Sequence, residues 1–192
     1  MATAAVTPVP GDVWTVRTNG FAAWLIRFGA FIRYLFSKSN PHADLDNHVV
    51  IVIKQTDGVW WGIEGRPGGV GWADLTRYIN DPATVTNFEQ PKTAAQRAQI
   101  VALVPQVLGT DYDWDAIFQA AADDLHLPEL FNSDPSKWGT TVPGHVICSA
   151  LASWMYLHLG MAAPNDGRDT QPSDWTAFDL ARGWLSAALN PI

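Results

Sequence analysis

The hydrophobic pattern changes character several times along this chain. Val49-Val50-Ile51-Val52-Ile53 is β-branched at every position, which predicts a central strand buried on both faces. Gly11 to Val16 reads as a short strand ahead of it. Val59-Trp60-Trp61-Gly62-Ile63-Glu64 reads as the strand returning after the hairpin signal Thr56-Asp57-Gly58. Between the first two strands, the apolar segment from Phe21 to Phe36 predicts a mostly buried helix opened by Thr18 or Asn19.

Helical spacing returns further on. Thr93 and Gln96 form a capping-box pattern ahead of the stripe Ile100, Leu103, Val104, Val107 and Leu108, with Pro105 expected to kink or shorten that helix. A further helix is expected from about Asp115 to Leu125, followed by an irregular, Pro-containing stretch from Leu127 to Gly144. Cys148 to Leu159, ended by Gly160, is the last clear helix, and positions 148, 151, 152, 155 and 159 share one small or apolar face. Gly65 to Gly71 holds four glycines and a proline in seven residues and reads as a loop. It lacks the lysine and hydroxyl of a nucleotide-binding loop.

Composition sets the scale. The chain has 192 residues, 47% of them hydrophobic, which suits one domain with one core, preceded by a mobile tail over the first ten residues. A net charge of −7 with 12 scattered basic residues offers no stripe to neutralise phosphates, so nucleic acid is not an expected partner. Ten tryptophans point to large aromatic contacts in the core or along a groove. Met1 to Pro10 lacks the charge and apolar run of a signal peptide. The segment from Phe21 to Phe36 is shorter than the roughly 20 apolar residues of a spanning helix and contains Arg27 and Arg33, so contact with a membrane surface is the alternative to burial there. A cytoplasmic and a phage-associated setting both fit.

Cys148 is the single cysteine, so it has no internal disulfide partner, and its roles reduce to inert core filler or nucleophile. Its place in the first turn of a helix matters, because unpaired backbone amides and the helix dipole favour a thiolate there. A nucleophile also needs a base. Of the five histidines, His48 stands at the mouth of the buried strand, where an imidazole would be held rigidly; a capped, half-exposed strand residue is the other reading. His145 lies three residues before Cys148, and Asp123, Asp124 and His126 cluster nearby, but neither set has zinc-like spacing, so no metal and no cofactor is expected.

These pieces stand in an order that resembles the permuted papain-like cysteine hydrolases of the NlpC superfamily, particularly the YiiX-like branch. Gly11-Asp12-Val13 resembles the opening strand of that family and Asn47-His48-Val49-Val50-Ile51-Val52 its histidine strand. Glu64 resembles the polar residue on the next strand, Tyr112-Asp113-Trp114 the aromatic turn, Cys148-Ser149 the nucleophile and Pro172-Ser173-Asp174 the closing motif. The resemblance spans nearly the whole chain. It implies an α+β, circularly permuted papain-like fold, with a central antiparallel sheet packed on helices and the nucleophile at a helix N-terminus. Two positions depart from it: Ala150 stands where the family often has an acidic residue, and Asn47 where it has serine.

The family chemistry needs a third residue to orient the histidine, and Glu64 is the candidate. Strand parity decides whether it can act. A two-residue Asp57-Gly58 turn with regular pairing would put Glu64 opposite Ile51 and on the other face from His48. A three-residue loop of Thr56-Asp57-Gly58, or a bulge with the same effect, would put both on one face as diagonal neighbours. The odd-length loop or its equivalent is the expectation; a strand-end carboxylate beside Arg66 is the alternative role for Glu64.

The resemblance implies a cysteine amidase or peptidase that forms an acyl-enzyme on Cys148, with His48 as base, Glu64 as orienter, and Tyr112 and Trp114 as candidate walls of the substrate cleft. The implied partner is an amide or peptide, including cell-wall fragments. The same chemistry serves lipid acyl hydrolases and acyltransferases, although Ile147-Cys148-Ser149 lacks the asparagine-cysteine-glutamate pattern of that branch. A papain-like shell acting only as a binding module is the third reading.

Overall fold

The computed structural model describes residues 7–19, 46–81, 84–87, 92–114, 145–164, 174, 175, 178 and 182. The helices expected over residues 21–36 and 115–125, the irregular stretch 127–144, and Pro172 and Ser173 lie outside these. So do residues 1–6 of the expected tail. Its described end is tied down, since the Arg97 guanidinium donates to the Pro10 carbonyl at 3.1 Å and Pro8 is buried.

Five strands, β1 (Val13–Val16), β2 (His48–Thr56), β3 (Val59–Arg66), β4 (Gly69–Asp74) and β5 (Val85–Asn87), form an antiparallel sheet in the order β4-β3-β2-β1-β5. Helices α1 (Thr76–Asn80), α2 (Ala94–Val107) and α3 (Cys148–His158) complete an α+β arrangement. A short parallel pair, β6 (Asp111–Tyr112) and β7 (His145–Val146), leads into α3.

The β-branched run of β2 is buried on both faces, as its composition predicts. Val49, Ile51 and Ile53 join Val13, Ile63, α2 and α3 in the larger cluster. Val50 and Val52 face Trp14, Val16, Ala73, Leu75 and Tyr78 on the opposite side. Thr93 and Gln96 close a reciprocal capping box at the head of α2, whose buried residues are Ile100, Leu103, Val104 and Val107. Pro105 does not stop α2 at once; the helix continues two residues and then ends at Leu108, in extended conformation.

One sequence expectation is corrected, and another is met by its second route. Gly65 to Gly71 is not one loop: Gly65 and Arg66 finish β3, Pro67-Gly68 is a tight turn, and Gly69 to Gly71 begin β4. Gly68 and Gly69 carry positive φ values, which is why glycine density marks a hairpin here. The β2–β3 connection is also a two-residue turn and not the three-residue loop: Thr56 pairs with Val59, and Asp57 and Gly58 have φ of 51° and 79°, as a primed turn demands. The register nevertheless shifts by one residue between Val52 and Lys54, leaving Ile53 as a bulge.

Two glycines of this hairpin should fail for different reasons when replaced by alanine. At Gly58 a Cβ meets nothing within 4 Å, so Gly58→Ala costs only the positive φ, about 1 kcal/mol. At Gly62 it would sit 2.6 Å from the Ile51 carbonyl oxygen, so Gly62→Ala should cost more than about 3 kcal/mol. Urea midpoints of the two variants at unchanged slope check the difference.

Candidate active site

The bulge at Ile53 decides where His48 points. Beyond it, Val52 pairs with Gly62 and Ile51 with Ile63. Continued one rung, that register sets Glu64 beside Val50 and on the same face as His48. The side chains meet there: His48 Nε2 lies 2.8 Å from Glu64 Oε2, with the imidazole 13% and the carboxylate 6% exposed. His48 and Glu64 therefore satisfy the parity condition by the bulge route.

Cys148 reaches the same end of the sheet from above Gly65. A Cβ on Gly65 would lie 3.1 Å from the Cys148 nitrogen and 3.3 Å from its Cα, so the first turn of α3 rests directly on the β3 backbone. Cys148 is 1% exposed. Its helix is aimed by neighbours on both sides. The parallel pair sets Tyr112 beside Val146, and the Trp175 indole donates to the Ser149 carbonyl at 3.2 Å while packing edge-on against Tyr156. Ile147, the N-cap of α3, has an apolar side chain and makes no side-chain bond to the first turn. Backbone amides in such a turn are donors for an incoming oxyanion.

Charge binds the three residues together. Burial, the largest single influence on His48, disfavours the imidazolium. The charge and hydrogen bonding of Cys148, then the hydrogen bond and charge of Glu64, outweigh it and raise the pKa from 6.5 to about 10. The balance favours the protonated ring. With Nε2 on Glu64, Nδ1 is the ring nitrogen left for Cys148. Burial pushes the Glu64 carboxyl up, but the His48 hydrogen bond and charge, with Arg77 and Arg66, hold it below its usual range.

Arg77 and Tyr78 are site neighbours that sequence reasoning missed. Arg66 Nη1 stands 3.5 Å from Glu64 Oε1 and Arg77 Nη2 3.6 Å from Oε2. Arg77 also donates to the Tyr78 hydroxyl and covers its ring, 4.4 Å from the centroid. Burial, and then the charge of Glu64, keep Tyr78 protonated by raising its pKa. Tyr112 is raised first by burial and then by the charge of Cys148, which puts its hydroxyl in the field of that sulfur. Trp114 packs edge-on against Tyr112, 5.2 Å between centroids, and is 37% exposed. The only advance sign of Arg77 was its place just after the β4 run, in the Thr76-Arg77-Tyr78 turn.

Asn47 has a structural task. Its carboxamide oxygen accepts from the Thr18 backbone N–H and hydroxyl, both at 2.9 Å, and its NH2 donates to the Thr18 carbonyl at 3.1 Å. The clamp fixes the chain immediately before His48. Ala150 is wholly buried in the larger cluster, a setting that suits a methyl group.

No protein-family model matches the chain, and no curated protein is significantly similar to it.

Gly65→Ala should displace α3 from the strand by a few tenths of an ångström, lowering Cys148 reactivity more than it lowers stability; alkylation rate and urea midpoint measured side by side check this. Stability should also carry the sign of the His48 shift. A folded pKa raised from 6.5 to about 10 means its proton-linked stabilisation is complete below about pH 6.5 and fades as pH rises toward 10. Unfolding midpoints of wild type and Cys148→Ala across that range should converge at the alkaline end.

Proposed function

We propose that this protein is a cysteine amidase or peptidase of circularly permuted papain-like architecture, working through Cys148, His48 and Glu64. The observation that carries the reading is the 2.8 Å His48–Glu64 bond on an imidazole that also interacts with the Cys148 sulfur at a helix N-terminus. A core cysteine needs neither partner. Together the three supply a nucleophile, a proton carrier and an orienter, drawn from α3, β2 and β3.

The chemistry follows from those positions. The Cys148 thiolate attacks the acyl carbonyl, and the tetrahedral oxyanion is met by the Cys148 backbone amide. The His48 imidazolium then gives its proton to the leaving amine, and the C–N bond breaks to leave a thioester on Cys148. Neutral His48 next takes a proton from water, whose oxygen attacks the thioester; the acid departs and the thiolate–imidazolium pair returns. Glu64 holds the ring through Nε2 in both steps. Tyr112 and Trp114 wall the cleft beside the nucleophile, and cell-wall peptides or related amides are the substrates proposed.

Iodoacetamide at neutral pH should label Cys148 rapidly, and His48→Ala should slow that labelling by at least about tenfold, with Glu64→Gln between the two. Intact-mass kinetics read it directly. Slow labelling indifferent to His48→Ala would leave the fold as a binding module. Hydrolysis of peptidoglycan peptides should fall at least about a thousandfold in Cys148→Ala.

A further inference from the structure

Beside Glu64, on the face away from α3, opens a pocket of about 250 Å³ lined by Glu64, Arg66, Ala73, Asp74 and Arg77. We propose that this pocket is an anion subsite in which Arg66 and Arg77 seat a carboxylate carried by the acyl substrate, a proposal that rests on Cys148 being the nucleophile.

The two arginines keep donor capacity to spare: beyond Glu64, Arg77 bonds the Tyr78 hydroxyl, and most N–H groups of both guanidinium forks remain exposed. Each approaches Glu64 with one guanidinium nitrogen, at 3.5 and 3.6 Å, longer than a close charged hydrogen bond. Glu64 already has a close partner in the His48 ring at 2.8 Å, so the two guanidinium groups stand as longer, secondary contacts. Both side chains are more than half exposed, 52% and 58%, and a guanidinium carries five N–H donors in a planar fork that matches a carboxylate. They come from different elements, the end of β3 and helix α1, and converge on one opening.

Asp74 is the second carboxylate of the lining, and its charge interacts with Arg77. It turns its Oδ1 to the Thr76 backbone N–H at 2.8 Å, just ahead of α1. The lining thus holds two guanidinium groups and two carboxylates, and His48, bound to Glu64, adds a third cation beside it. Gly71 is part of the construction. It lies across from Glu64 on β4, and a Cβ there would come 3.0 Å from Arg66 Nη2, so its bare backbone lets the guanidinium lie flat over the strand.

The pocket is also coupled to the nucleophile. Tyr78, under the Arg77 guanidinium, feels the charges of both Glu64 and Cys148. Glu64 and Arg66 flank Gly65, the residue on which Cys148 rests. A substrate acylating Cys148 would reach the pocket around the end of the sheet, past the His48–Glu64 pair, and the probe length that works reports that path.

Chloroacetyl-glycine, chloroacetyl-β-alanine and chloroacetyl-γ-aminobutyrate, each compared with its neutral methylamide, test this by saturable alkylation of Cys148. For at least one chain length the carboxylate should exceed its amide in kinact/KI by about tenfold, the value of one charged hydrogen bond. Arg66→Gln and Arg77→Gln should each collapse that ratio, and Gly71→Ala should lower it while keeping both charges. Lys54→Gln, which removes the same charge beside Trp72, should leave the ratio alone. Ratios near unity at every length, or arginine variants that slow acid and amide probes equally, overturn the subsite while leaving the nucleophile reading intact. Amide probes that label slowly and without regard to His48→Ala overturn both.

Discussion

The hydrogen bond between His48 and Glu64 exists because β2 carries one residue more than β3 between the turn and the paired rungs of the core. Side chains alternate along a strand, so a hairpin closed by the tight Asp57-Gly58 turn would send these two to opposite faces. Ile53 absorbs the difference. It is 3% exposed in the larger cluster, so the extra residue is held by apolar packing and costs one interrupted rung of the ladder. The same bulge leaves the far end of the hairpin free to use a favoured primed turn.

A second constraint brings the cysteine to that pair. Helix α3 is almost wholly buried from Cys148 to Tyr156, and a buried helix laid on a sheet normally stands off by the width of the side chains between. At Gly65 there is no side chain, and the helix start drops onto the backbone. Electrostatics then decides the protonation of His48. Burial alone would neutralise it, as the largest individual influence, and only the combined pull of Cys148 and Glu64 reverses the sign. Removing either partner changes the balance; the raised pKa of His48 is a property of the assembled site.

Much of this was legible in the chain. The β-branched run of β2, the capping box at Thr93 and Gln96 and the Gly160 stop of the last helix are local signals, and each appears where its chemistry places it. Parity gave a sharp condition on Glu64, met by a bulge. The position of that bulge was not legible, because Ile53 continues the apolar run without a break and only pairing with β3 makes it the extra residue. Glycine density was misleading at Gly65 to Gly71, where one glycine admits the helix, two make a turn and another makes room for Arg66. Arg77 was hidden because its role arises from a five-residue helix folding back toward β3.

The central claim is that the sulfur and the carboxylate together hold His48 as an imidazolium at neutral pH. Nitrogen-15 NMR of histidine-labelled protein reads the charge of both ring nitrogens. The account predicts that His48 shows both nitrogens protonated at pH 7 and loses that state in Cys148→Ala. A His48 that is neutral at pH 7 in the wild-type protein, or whose titration is the same with and without the Cys148 sulfur, would contradict it.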